Sequence, residues 1–175
     1  MTLEAILGAG SRFVPMGAMV DSFFDARAVE IRPFFSSRTG QALLEHKAGT
    51  LNFADDAMLF AITALTDVRP PARGNVLDGV PCWWDIEVVS SRKVSGEEQW
   101  SVKCQILDRG ERRHFVPFNR ARNAALEAVI LATRLRLGMG GEAAVQKIDE
   151  LKAIAIKTGG RREMDAFKLI QSSIA

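Results

Sequence analysis

The chain has 175 residues, 47% of them apolar and 25% charged, with a formal net charge of +2. That length fits one globular domain with room for an extension, and no apolar run reaches the roughly 18 residues that a membrane-spanning helix needs. A near-neutral balance without a basic, aromatic-interleaved stripe argues against a nucleic-acid partner.

The N-terminal stretch MTLEAILGAG carries an acidic residue where a signal peptide is basic, so a cytoplasmic protein is expected. Cys82 and Cys104 lie far apart without CxxC or Cys/His spacing, which predicts reduced core or half-buried thiols and no metal site. Residues 1–24 are small, apolar and glycine-rich. Phe13 to Val20 reads as a kinked strand, in which Pro15 and Gly17 mark either a protected edge or a close approach by a flat group. Val29 to Ile31 alternates as a second strand. A short helix follows around Leu43 and Leu44, capped by Ser37 or Thr39 and ended by Gly49. Thr50 to Phe53 reads as a strand leading to Asp55 and Asp56, one of which caps an apolar helix from Met58 to Leu65.

Thr66 to Pro81 is punctuated as a loop by Pro70, Pro71, Gly74, Asn75 and Gly79. Trp83 to Val89 and Trp100 to Leu107 alternate as strands around a polar hairpin loop, Ser90 to Gln99. Asp108 to Glu111 reads as a turn and Arg112 to Val116 as the start of another strand. Strands of this length joined by hairpins favour a small antiparallel barrel. The last third is helical. Asn119 caps a helix with Leu126, Val129, Ile130, Thr133 and Leu137 at helical spacing, while Arg120, Glu127 and Arg134 form a separate charged stripe. A second helix, Glu142 to Lys157, places Ala144, Ile148, Leu151 and Ala155 on one face. A third, from about Arg162 to Ser172, buries Phe167 and Ile170.

The densest chemistry lies between Ile31 and Asp56. Arg32, Ser36, Ser37, Arg38 and Thr39 fall within eight residues just before a helix start. Guanidinium groups, hydroxyls and unpaired helix N–H groups suit an anion, although an ordinary capped helix with solvated arginines has the same pattern.

Four blocks carry a family resemblance: Val14-Pro15-Met16-Gly17; Ile31-Arg32-Pro33-Phe34 with Ser37 and Thr39; Leu51 to Asp56 followed by Leu59-Phe60; and Pro117-Phe118-Asn119-Arg120-Ala121 continuing to Leu135. With the closing Lys157-Thr158-Gly159, the chain resembles a domain-of-unknown-function family of the FMN-binding split-barrel superfamily, related to flavin-reductase-like proteins. The resemblance implies a mainly β fold with α: an antiparallel, Greek-key-like split barrel over residues 1–117. A helical appendage over residues 118–175 would pack on the barrel and on the partner of a homodimer, with FMN near the interface. It places Arg32, Ser36, Ser37 and Thr39 at the FMN phosphate and Met16 and Gly17 against the isoalloxazine ring. Asn52 and Asp55 would face the ribityl chain or ring edge, and Arg120 and Lys157 would lie near the flavin. One departure is Ala42, where the family often has asparagine in a T-x-x-N-L pattern, so one cofactor hydrogen bond is missing.

These implications point to an FMN-binding flavoprotein with an oxidoreductase role and a small-molecule redox partner, in a one-carbon or pterin-linked context. The alternatives are a non-catalytic flavin-binding or storage protein and a cofactor-less dimeric module. With no Tyr and two unplaced histidines, His46 and His114, no general acid or base stands out. Hydrolase and acyl-transfer chemistry need a positioned nucleophile and base.

Overall fold

The computed structural model describes residues 1–174. They divide into two compact units, Leu3–Phe118, and Met1–Thr2 with Asn119 onward. The first contains strands β1 (Thr2–Ala9), β2 (Arg12–Met19), β3 (Ala28–Ile31) and β4 (Ala48–Phe53), helices α1 (Arg38–His46) and α2 (Ala57–Leu65), a small hairpin of β5 (Ala72–Arg73) and β6 (Val76–Leu77), and the long strands β7 (Cys82–Lys93) and β8 (Trp100–Glu111). Six strands close into an antiparallel barrel in the order β1-β2-β3-β8-β7-β4, and β5-β6 stands outside it. The expected barrel is therefore present.

β1 has no apolar/polar alternation to announce it because Ala5, Ile6, Leu7 and Ala9 are all buried, on both faces of the strand. A two-residue turn with positive φ at Gly10 (+56°) and Ser11 (+59°) returns the chain into β2, the geometry that matches strand twist in a tight hairpin. β2 pairs with β3 through Ala18↔Ile31 and Met19↔Glu30. Pro15 lies outside these two pairs, which suits a residue lacking an N–H.

Five local expectations change. Gly49 does not end α1. Lys47 takes the left-handed cap conformation (φ +58°) instead, and Gly49 lies in β4, where a Cβ would stand 2.8 Å from the Leu43 side chain. The segment Thr66 to Pro81 contains the β5-β6 hairpin. Polar Ser90 to Lys93 continue β7, paired with Lys103 to Trp100. Asp108 to Glu111 are strand rather than turn. Gly110 serves packing there, since a Cβ would lie 2.0 Å from the Trp83 ring that crosses it. Arg112 to Val116 form no strand.

In the second unit, α3 (Arg120–Arg136), α4 (Gly141–Thr158) and α5 (Arg161–Ile174) enclose Ala121, Ala128, Ala132, Ile148, Ala155, Phe167 and Ile170. The face of α3 that packs is the alanine stripe, and the Leu126/Val129/Ile130/Leu137 stripe points outward, with Leu126 61% exposed. Alanines let helix backbones approach closely, and α3 packs extensively on α4 through them. Asn119 caps α3 by accepting from the Arg122 N–H at 2.9 Å. Its amide donates to Thr2 O (2.8 Å) and Thr158 O (3.4 Å), tying the start of α3 to the end of α4. Gly159 completes this corner, where a Cβ would stand 3.0 Å from that of Ala121.

Both cysteines are free and buried, and burial pushes each thiol up to about 12. Because the thiolate is the reacting form, native protein at neutral pH is expected to resist iodoacetamide at both sites, and denatured protein is expected to label twice. Mass spectrometry of the two samples checks this.

Candidate functional site: an arginine-lined cleft on the barrel

The first turn of α1 is fixed by its sequence. Ser37 Oγ accepts the Gly40 N–H at 3.1 Å, which settles the cap in favour of Ser37 over Thr39. Gly40 lets Pro33 pack against this turn, since a Cβ there would lie 2.7 Å from the proline ring. The turn presents Ser36, Arg38 and Thr39 to a cleft of about 740 Å³. The other walls are the β1-β2 turn with Arg12 and Phe13, and the segment after α2 with Thr66 and Arg69. Three arginines from three distant parts of the chain line the cleft with one acidic residue, Asp67, a formal +2. The N–H groups of the first helical turn add partial positive charge.

Asn52 and Asn75 hold the outer wall. Asn52 is fully buried. Its amide donates to Asn75 O (2.9 Å) and Ile6 O (3.2 Å), and its Oδ1 accepts the Leu77 N–H (2.8 Å). Asn75 Oδ1 accepts the Ser11 N–H at 3.3 Å. The β5-β6 hairpin is thereby latched to the β1-β2 turn, and the cleft wall at residues 66–70 is anchored on its far side. Gly8 makes the close approach feasible, because a Cβ there would stand 2.5 Å from Asn75 O.

Of the residues expected at a cofactor, Ser36 and Thr39 reach the cleft. Arg32 and Ser37 stand beside it in other roles: the Arg32 Nε pairs with Glu30 Oε1 at 3.3 Å, and Glu30 also accepts from Ser101. Met16 and Gly17 lie half-buried further along β2, the strand whose first residues line the cleft. Asn52 is buried beneath the β5-β6 hairpin and spends its amide on backbone groups. Asp55 pairs with Arg113, whose hydrogen bond holds its carboxyl below the usual range, while Asp56 caps α2 by accepting the Met58 N–H at 2.8 Å. Arg120 and Lys157 belong to the helical unit, both exposed, at the start of α3 and near the end of α4. Ala42 faces the β1-β2 turn, 2.9 Å from where a Gly10 Cβ would be.

Arg12, Arg69 and Thr66 had no signal in the sequence, since each sits in an unremarkable local context. Arg38 was legible as part of the Ser/Arg run.

The geometry can be set beside known proteins. Residues 3–113 match the family model described as the N-terminal domain of a protein of unknown function (DUF447), and residues 119–172 match a second model described as protein of unknown function (DUF447). The chain belongs to the DUF447 family. Among curated proteins no relative matches. A crystal structure of an FMN-bound DUF447 protein from Methanosarcina mazei is 26% identical and covers 98% of this chain and 94% of its own, with a TM-score of 0.55. Two more distant neighbours share the barrel. An FMN-binding protein from Thermus thermophilus with bound p-hydroxybenzaldehyde is 13% identical, covering 63% of this chain and 71% of its own (TM-score 0.52). The styrene monooxygenase flavin reductase from Pseudomonas putida is 18% identical, covering 64% and 81% (TM-score 0.54). The DUF447 fold is thus the barrel found in FMN-binding flavin reductases, with a helical C-terminal part.

Proposed function

We propose that this DUF447 protein binds FMN, with the phosphate in the arginine-lined cleft, and serves as a flavin-dependent oxidoreductase. The observation that supports it most is the match of charge and donors. A phosphate monoester carries about −1.5 to −2 at neutral pH. The cleft offers a formal +2, hydroxyls from Ser36 and Thr39, and the start of a nine-residue helix. The FMN-bound family member from Methanosarcina mazei adds to this. Ser36, Arg38 and Thr39 would hold the phosphate, with Arg12 and Arg69 closing over it, and Met16 and Gly17 would border the ring. FMN, when bound, supplies the electron-transfer chemistry, and the protein supplies anchoring, orientation and local charge.

The same reading includes a cytoplasmic homodimer. The outward stripe Leu126, Val129, Ile130 and Leu137 on α3 supports a partner subunit, since an apolar face of this kind marks an interaction surface. A pterin- or one-carbon-linked substrate is the metabolic context we propose. A storage role is the alternative. Anaerobic mixing of FMN-loaded protein with NADPH and with NADH separates the two. Rapid bleaching of the flavin colour by one donor is expected, and persistence of the colour with both would favour storage.

A further inference from the structure

A second pocket lies at the other end of β4 from the arginine-lined cleft, where β7 begins and β8 ends. It encloses about 240 Å³. Its framework is fixed by Arg109, which donates to the carbonyls of Phe23 (3.2 Å), Phe24 (2.6 Å) and Ala26 and lies 4.6 Å from the centre of the Trp84 ring. Phe23 stacks on Trp84 at 5.2 Å. One arginine thus holds the connection after β2 rigidly against the barrel. On that support Phe24 is 60% exposed and the His114 side chain 83% exposed. Their rings are within 12° of parallel with centroids 6.4 Å apart. Glu111 stands at the rim, 3.6 Å from His114 Nδ1.

We propose that this pocket binds a small planar heteroaromatic molecule that carries an amino or amide N–H. Two rings in a common orientation offer their faces to one flat ring, and every heteroaromatic base has a face to give. The Glu111 carboxylate accepts hydrogen bonds only, so the ligand must donate. The guanidinium of Arg109 is engaged by three carbonyls and the indole, which leaves the Glu111 carboxylate beside His114 as the acidic acceptor at the rim. The pocket volume suits one or two fused rings. This site is independent of the flavin reading.

Adenine is the probe. Titration into the full chain is expected to move the ring-proton resonances of His114 and Phe24 upfield along a saturable curve, the signature of a ring stacked above them. Phe24→Leu and His114→Leu each remove a ring while keeping a side chain of comparable length, and each is expected to weaken adenine at least about tenfold. Phe24 and His114 are exposed, so both variants should keep the wild-type melting temperature. Cyclohexylamine, a saturated donor of similar width, should not shift these signals. The proposal is overturned if adenine gives no saturable shift, if cyclohexylamine binds as well as adenine, or if both variants bind adenine normally. It is also overturned if the same resonances move on protein dilution without a probe, which would show that a second copy covers the rings.

Discussion

Arg38→Ala is expected to weaken FMN binding on the order of ten- to a hundredfold while leaving riboflavin binding nearly unchanged. Arg38 opens α1 and lines the cleft beside Ser36 and Thr39. A hydrogen bond to a charged group contributes about 1.5–3 kcal/mol, and each 1.4 kcal/mol is about tenfold in affinity. Riboflavin lacks the phosphate, so a loss confined to FMN assigns the contact to that group. Arg32→Ala should cost less, because Arg32 lies off the cleft wall and its Nε faces Glu30. Fluorescence titration of both variants with both flavins measures this. Equal losses in the two variants, or equal losses for the two flavins, would return Arg38 to the solvated surface.

Asn52→Leu should be the most destabilising single change in the barrel unit, by about 2–5 kcal/mol. Leucine has the same number and branching of side-chain heavy atoms as asparagine but no hydrogen-bonding group, so the main loss is one of hydrogen bonding. The Leu77 N–H and the Asn75 carbonyl lose their side-chain partner, and each buried polar group left unpaired costs about 1–3 kcal/mol. For a chain of this length the melting temperature should fall by roughly 5–15 °C. Loosening the hairpin also frees the wall that carries Arg69, so FMN affinity should drop further than in a variant of equal instability elsewhere. Phe167→Ala, in the helical core, is the matched control. A wild-type melting temperature for Asn52→Leu would show that the latch is not structural.

Asn52 also shows where reading the sequence reaches its limit. The motif Leu51 to Asp56 identified a strand and an N-cap, both present. It could not show that the asparagine amide is buried against the β5-β6 hairpin, because the groups it satisfies lie on β1 and on a hairpin more than twenty residues away. Gly110 failed for a related reason. A glycine after Asp108 and Arg109 looks like a turn until Trp83, paired with it across the ladder, needs the space. On α3 two stripes coexist on one helix, and hydropathy favours the leucine and valine face, while close packing in the helical unit selects the alanines. The cleft was half legible. Local patterns show Ser36, Arg38 and Thr39 together, whereas Arg12 and Arg69 arrive only through the barrel's closure and the Asn75 contact.

The most direct test is equilibrium binding of FMN and riboflavin to the wild-type protein at low salt. The phosphate-cleft account predicts that FMN binds in a one-to-one complex with each chain and that riboflavin binds at least about tenfold more weakly, the difference expected for one charged contact or more. Riboflavin binding as tightly as FMN, or no binding of either, would contradict it.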